Sequence, residues 1–144
     1  MIVGFTGSRH PRPAETLERL RALLLEWGAT EGHHGDCLGF DAQAHDICVE
    51  LGIRTVIHPP TDARMRAWKT GDVELPEKPY LDRNKDIVLA VQKVIAAPDG
   101  PERARSGTWS TVRFAKSKGV RGVVLAWPAP TGVDTAMPER RGGE

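Results

Sequence analysis

Short apolar segments alternate with amphipathic segments along this 144-residue chain, and this alternation constrains the fold more than any other feature. The apolar segments are bounded by Gly, Pro or polar residues, which is typical of strands. They cover residues 2–5, 29–35, 53–58, 92–98 and 120–128, and the second is the least apolar. Parallel neighbours need long crossover connections, which are helices here. We therefore predict an α/β fold with a mainly parallel five-stranded sheet covered on both faces.

The intervening segments place apolar residues at helical spacing. The first helix has Leu17, Leu20, Leu24 and Trp27 on one face, and the second, residues 41–51, has Ala44, Ile47, Cys48 and Leu51 at i, i+3, i+4 and i+7. Residues 80–91 and 106–119 form the third and fourth predicted helices. Asp41 precedes the second helix as a predicted N-cap. Residues 61–79 form a long connection of the kind that is usually functional or mobile.

Length and charge exclude several classes of protein. The chain suits one domain, predicted at residues 1–128, followed by a flexible tail at residues 129–144. Lys and Arg number 20 against 19 Asp and Glu, so the net charge of +1 gives no overall attraction to nucleic acid or acidic membranes. There is no signal-peptide pattern, and no apolar run approaches the roughly 20 residues that span a bilayer. We expect a cytoplasmic protein with no membrane partner.

Polar residues follow three of the predicted strands. In an open parallel sheet the ligand lies outside the carboxyl ends of the strands, so these residues should converge on one edge. The candidate ligand-binding residues are Gly7, Ser8, Arg9, Gly35, Asp36, Gly39, Asp41, Arg83, Asn84, Arg105, Ser106, Gly107 and Thr108. The prediction that these residues meet at one edge depends on the fold class and not on any single residue.

These residue types match the two parts of a nucleotide. Glycines let backbone N–H groups approach a phosphate, helix N-termini add donors, and an arginine fork binds phosphate oxygens bidentately. Asp36 and Asp41 would repel an anion at short range, so they suit ribose hydroxyls or a base amine. We therefore predict a nucleotide-like small molecule as the ligand.

Simpler readings of the same residues stay open at this point. Asp41 is also explained as an N-cap alone, Arg9 as a solvated side chain, and Asn84 as a partner for a buried backbone group. Cys37 has no visible base, and a buried thiol is its default role. The spacing of His33, His34, Asp36 and Cys37 matches no common zinc pattern, so we expect neither a metal nor a cofactor.

Six motifs in order resemble the SLOG superfamily, Rossmann-like nucleotide-binding proteins that include the Lonely Guy phosphoribohydrolases and the DNA-processing protein A family. The motifs are GFTGSR at residues 4–9, HGDCLGFDAQAHD at 34–46, HPP at 58–60, YLDRN at 80–84, AAP at 96–98 and RSGTWSTVRFA at 105–115. The likeness is greatest to a small branch found in bacteria and their phages. It implies a three-layer α/β/α sandwich with a nucleotide near the candidate residues, and a homodimer.

One departure from that family bears on catalysis. Lonely Guy enzymes carry a GGxGTxxE pattern whose glutamate serves hydrolysis, whereas Thr111 stands at that place here. Three hypotheses follow. The protein is a nucleotide-binding sensor or carrier; or an N-glycosidic hydrolase of nucleoside monophosphates in which Asp36 or Asp41 is catalytic; or a single-stranded DNA binder. The last would use a local basic patch of Arg103, Arg105, Arg113, Lys116 and Lys118.

Overall fold

The structure is a computed structural model that describes residues 1–127 and 135–136. The strands are β1 (Ile2–Gly7), β2 (Glu31–His34), β3 (Arg54–Ile57), β4 (Val73–Glu74), β5 (Lys93–Ala97), β6 (Arg121–Val124) and β7 (Thr135–Ala136). The helices are α1 (Ala14–Glu26), α2 (Phe40–Glu50), α3 (Tyr80–Ala90) and α4 (Gly107–Ser117), with a single 3₁₀ turn at Ala63–Met65. In this part of the chain, no helix has both the length and the apolar composition to cross a membrane.

The strands form one sheet in the order β4-β3-β2-β1-β5-β6-β7. All neighbours are parallel except β6 and β7, which pair antiparallel. The α/β class with a mainly parallel sheet is confirmed, but the prediction of five strands was wrong. β4 and β7 each have two residues, and so short a strand shows no alternation of apolar and polar residues for a sequence pattern to reveal.

β7 also bears on the predicted boundary between domain and tail. Thr135–Ala136 belongs to the segment predicted as a tail, and its backbone pairs with β6. The remainder of residues 129–144 lies outside the described residues.

Two apolar clusters lie on opposite faces of the sheet. Val3 and Phe5 pack with residues of α1 and α2, whereas Val94 and Ala96 pack with residues of α3 and α4. Successive side chains of a strand point to opposite faces, so alternate residues of the central strands serve the two clusters. The helices therefore cover both faces and give three layers.

The chain reverses its direction of strand addition at β1. From β1 the sheet grows through β2 and β3 to one side, and through β5 and β6 to the other. Loops that leave the carboxyl ends of β1 and β5 consequently diverge to opposite faces and leave a crevice between them. This reversal sets the position of the candidate site.

The start of α2 differs from the sequence prediction. Asp41 was predicted as the N-cap, but the N-cap is Gly39, with φ of 88°, and Asp41 lies in the first turn. A Cβ at Gly39 would collide with the backbone of Ser8 and Arg9, so the turn after β2 packs directly on the loop after β1. Because Gly39 and not Asp41 is the N-cap, the carboxylate of Asp41 does not cap α2 and can bind other groups.

Gly39→Ala should destabilise the fold far more than Gly119→Ala. Both glycines have positive φ, but a Cβ at Gly119 would meet nothing within 4 Å. Gly119→Ala should therefore show only the backbone cost of about 1 to 2 kcal/mol. Gly39→Ala should cost at least about 2 kcal/mol more, because the loop after β1 has to move. Urea unfolding of both variants measures the difference, and equal losses would show that the two loops do not pack as described.

Candidate ligand-binding site

A cavity of about 270 Å³ opens at the carboxyl edge of β1 and β5. Its walls are the loops that follow β1, β2 and β5, together with the first turns of α3 and α4. Most of the predicted site residues line it: Gly7, Ser8, Arg9, Gly35, Asp41, Arg83, Asn84, Arg105, Ser106, Gly107 and Thr108. Asp36 and Gly39 do not. The structure thus brings together residues that are up to a hundred positions apart in the chain.

Hydrogen-bond donors collect where α4 begins. Ser106 caps this helix by accepting from the N–H of Trp109 at 3.2 Å, and no acceptor within residues 1–127 meets the N–H groups of Gly107 and Thr108. The Thr108 hydroxyl also lacks a hydrogen-bond partner there, although the residue is only 8% exposed. A helix N-terminus carries a partial positive charge. These groups form the donor end of the cavity.

Two arginines of the cavity wall add further donors. Arg9 and Arg105 are exposed and line the cavity. Neither guanidinium forms a hydrogen bond or an ion pair with the part of the chain that the structure describes. Both forks are therefore available to an anion.

Asp41 supplies an acceptor deep in the cavity. The residue is 6% exposed, and its Oδ2 accepts from the N–H groups of Gly35 at 3.1 Å and Cys37 at 3.2 Å. No described residue donates to its Oδ1. Burial raises the pKa of Asp41 to about 6, although the Arg83 charge and the two N–H groups lower it. Asp41 can therefore accept from a ligand and can exchange a proton near neutral pH.

Arg83 is a buried cation with a structural task. It is 2% exposed, and its Nη1 donates to the carbonyl oxygens of Gly35 and, at 3.1 Å, His58. Its Nε donates to the Asn84 side-chain oxygen at 2.8 Å, and its Nη2 contacts the Cys37 sulfur at 3.7 Å. Within residues 1–127 it has no carboxylate at ion-pair distance. Arg83 thus holds the turn after β2 in place and adds positive charge to the cavity wall.

Asn84 also lines the cavity. Because its side-chain oxygen accepts from Arg83, the amide nitrogen can donate to a ligand. Asn84 precedes the buried residues Ile87 and Val88 by three and four positions, so it lies on the face of α3 that packs inward.

Asp36 was predicted to contact the ligand and to be a catalytic candidate, and its position does not support either role. It is fully buried, with its Oδ2 accepting from Arg66 Nε at 2.7 Å and its Oδ1 from the Lys69 N–H at 3.0 Å. Its carbonyl oxygen also accepts from the N–H of Ala67 at 2.6 Å. Asp36 therefore anchors the long connection. Its partners lie about 30 residues away in the chain, where no local pattern could reveal them.

Gly35 and Gly107 also have a role that the sequence did not predict. They were expected to let the backbone approach a phosphate. A Cβ at Gly35 would instead collide with the Arg83 guanidinium, and one at Gly107 with the Tyr80 hydroxyl. These glycines make room for other side chains of the site.

Several cavity residues were not among the predicted ligand contacts: His10, Cys37, Tyr80, Asp99, Arg103 and Thr111. Asp99 accepts from Ser8 Oγ and from Arg103 Nη2, both at 3.3 Å, so its carboxylate is already occupied. Tyr80 is the first residue of the YLDRN motif and lies one helical turn before Asn84. This spacing could have identified it as a cavity residue from the sequence. Burial raises the pKa of the Cys37 thiol to about 11, so this thiol is not a nucleophile at neutral pH.

The neighbouring histidines of β2 pair with other histidines. His33 Nδ1 lies 2.8 Å from His58 Nε2, and His34 Nε2 lies 2.9 Å from His45 Nδ1. The Asp36 N–H donates to His34 Nδ1 at 2.9 Å, so neutral His34 carries its proton on Nε2. Burial lowers the pKa of His34 to about 3. None of the four lines the cavity.

The basic residues predicted as a DNA-binding patch are dispersed. Arg103 and Arg105 line the cavity, but the Arg113 guanidinium binds Glu102 and backbone carbonyl groups. Lys116 lies nine residues beyond the start of α4, about 13 Å along the helix axis. The patch does not converge on the cavity.

Comparison with known proteins agrees with this fold. No protein-family model and no curated protein matches the sequence. Among solved structures, a molybdenum cofactor binding protein from Rippkaea orientalis has a TM-score of 0.68 at 21% identity, over 86% of this chain and 75% of that one.

DNA processing protein A is a second structural neighbour. The Helicobacter pylori protein, which binds single-stranded DNA, has a TM-score of 0.63 at 21% identity, over 90% of this chain and 67% of that one. The Streptococcus pneumoniae protein has a TM-score of 0.65 at 19% identity, over 90% of this chain and 52% of that one, so this chain spans about half of its length. The Rossmann-like fold implied by the SLOG resemblance is confirmed.

The burial of Asp41 should appear as a pH-dependent difference in stability between the wild type and Asp41→Asn. A carboxyl whose folded pKa is raised from 3.8 to about 6 stabilises the fold below about pH 4, and this contribution is lost as pH rises through 6. The wild type should therefore lose roughly 2 kcal/mol relative to the variant between pH 4 and pH 7. The buried histidines act in the opposite direction in both proteins and cancel in the comparison. Denaturant unfolding at several pH values measures this difference, and a constant value would contradict the assigned burial.

Proposed function

We propose that this protein binds a nucleotide or nucleotide-derived ligand in the cavity at the carboxyl edge of the sheet, as a sensor or carrier. The observation that carries the proposal is the meeting of two kinds of unpaired group in one cavity. The exposed side chains of Arg9 and Arg105 and the start of α4 offer donors to an anion, whereas the free oxygen of Asp41 belongs to a buried side chain. A nucleotide has the matching pair of features, an anionic phosphate and a neutral sugar or base rich in donors.

The proposed orientation follows from which groups are already occupied. Arg83 and the N–H groups of Gly35 and Cys37 have partners within the protein, so they offer little to a phosphate. The phosphate therefore binds at the start of α4, where charge-assisted bonds contribute roughly 1.5 to 3 kcal/mol each when desolvated. The sugar or base then lies against Asp41 and Asn84. A cavity of about 270 Å³ lies just below the usual range of ligand pockets, about 300 to 1,000 Å³, and limits the ligand to a small molecule.

The structural neighbours support a binding role without identifying the ligand. One is a molybdenum cofactor binding protein, and another binds single-stranded DNA. Proteins of one fold thus bind chemically different molecules, so the ligand has to be argued from the side chains of the site.

Arg105→Ala should weaken binding of a nucleoside monophosphate about tenfold or more, because one charge-assisted contact to the phosphate is lost. Lys116→Ala is the matched control, since Lys116 is an exposed cation of the adjoining helix that does not line the cavity. Calorimetric titration with a panel of nucleoside monophosphates measures both. Mass spectrometry of the purified protein should in addition reveal a co-purified nucleotide. Equal affinities in the two variants would refute the proposed phosphate site.

N-glycosidic hydrolysis is a second candidate function, favoured by one observation. The Thr111 hydroxyl, at the place of the family glutamate, donates to the Gly107 carbonyl at 2.9 Å and offers no acid. Asp41 is a buried carboxyl that faces the cavity and is partly protonated near neutral pH. In this reaction Asp41 donates its proton to the departing base as the carbon–nitrogen bond breaks, and a water oxygen bonds to the anomeric carbon. The proton that this water loses passes to solvent, from which Asp41 is protonated again.

If hydrolysis occurs, incubation with nucleoside monophosphates should release free base, which chromatography separates from the nucleotide. Asp41→Asn should abolish release, because an amide cannot supply the proton. Asp46→Asn, an exposed carboxylate of the same helix, should retain it. The wild-type rate should fall as pH rises above about 6, since Asp41 loses its proton. Absence of free base from every nucleotide would leave binding as the function.

A single-stranded DNA ligand has less support in the site. Such binding needs cations along one groove, whereas the predicted basic residues are dispersed and Arg113 is engaged within the protein.

A further inference from the structure

The two ends of the cavity differ in the kind of hydrogen bond they can form. At the start of α4 the available groups are donors, namely two backbone N–H groups and the Thr108 hydroxyl, and the exposed guanidinium groups of Arg9 and Arg105 add donors to the cavity wall. At the inner end the available acceptor is Asp41 Oδ1, since Asp41 Oδ2 already accepts from Gly35 and Cys37. The other lining carboxylate, Asp99, is occupied by Ser8 and Arg103. A ligand therefore meets donors at one end and a carboxylate at the other.

We propose that Asp41 is a specificity-determining residue that restricts the inner end of the cavity to uncharged hydrogen-bond donors. The ligand class is accordingly a phosphomonoester whose far end carries hydroxyl or amino groups, and molecules with an anion at both ends are excluded. The inference rests on the proposed function, because the donor end must hold the phosphate.

The charged and titratable groups around Asp41 explain why a second anion is rejected. Arg83 faces it from α3, and Asp36 and Cys37 face it from the turn after β2. Arg83 is the only cation among them, and its N–H groups are used by Gly35, His58 and Asn84. An anion at the inner end would thus meet the Asp41 carboxylate, and the free amide nitrogen of Asn84 is a neutral donor that offsets little of the repulsion.

Exclusion should depend on the proton of Asp41. When Asp41 is ionised, a second anion is repelled; when it is protonated, its O–H can donate to that anion. Burial raises the pKa of Asp41 to about 6, so the change falls between pH 5 and pH 8. Discrimination should be strong at pH 8 and weak at pH 5.

Sorbitol 6-phosphate and 6-phosphogluconate form a matched pair of probes. They share the phosphate ester and the hydroxylated chain, and differ only at the far carbon, which is a hydroxymethyl group in one and a carboxylate in the other. Calorimetric titration of the wild type at pH 8 should show at least about tenfold preference for sorbitol 6-phosphate. The preference should shrink to about threefold or less at pH 5, and Asp41→Asn should show little preference at either pH.

The outcomes separate this inference from the proposed function. Equal binding of both probes by the wild type at pH 8, with Arg105→Ala weakening both, overturns the role of Asp41 and leaves the phosphate site standing. A preference that persists in Asp41→Asn, or that does not change with pH, also overturns it. Failure of both probes to bind overturns the inferred ligand class, since sorbitol 6-phosphate carries both required features, whereas the phosphate site is overturned only by the titrations with nucleoside monophosphates. The pH comparison uses the wild type and does not depend on the folding of the variant.

Discussion

The buried guanidinium of Arg83 is the interaction on which the site depends. Through Nη1 it binds the carbonyl oxygens of Gly35 and His58, the residues that directly follow β2 and β3, and thereby ties the ends of these strands to α3. A buried cation is costly unless its donors are satisfied, and carbonyl oxygens and an amide satisfy these. The gain is a fixed turn after β2, whose two N–H groups converge on Asp41.

A second set of contacts holds that turn from the opposite side. Asp36 accepts from Arg66 and Lys69 and donates its own N–H to His34, which is in turn paired with His45 of α2. The chain of partners runs from the long connection through the turn to a helix. It holds Asp36 at φ of 58°, which is uncommon for a residue other than glycine. The long connection is therefore part of the support of the site and not a separate flexible loop.

Desolvation and hydrogen bonding act against each other at Asp41. Burial disfavours its charged form, whereas Arg83 and two backbone N–H groups favour it, and the result is a carboxyl whose pKa lies near 6. Only one of its oxygens is needed for the turn. The same residue thus stabilises the protein locally and presents an acceptor to the cavity, and such perturbed groups cluster at functional sites.

The sequence by itself determined the α/β class, the four helices, the main strands and the edge at which the site lies. These follow from periodicity and from the rule that parallel strands end together, which need only local information. Arg9, Asp41, Arg105 and Thr108 were named from this rule and line the cavity. The two-residue strands β4 and β7 were not predicted, because their pairing depends on the neighbouring strand and not on their own residue pattern.

The tertiary structure decided what each polar group does. Asp36 and Asp41 look alike in the sequence, yet one anchors a distant segment and the other faces the cavity. Gly35 and Gly107 make room for side chains that arrive from α3. These roles depend on contacts between residues 27 to 48 positions apart. A hydrogen bond is formed or lost over a fraction of an ångström, a scale that residue type and spacing do not define.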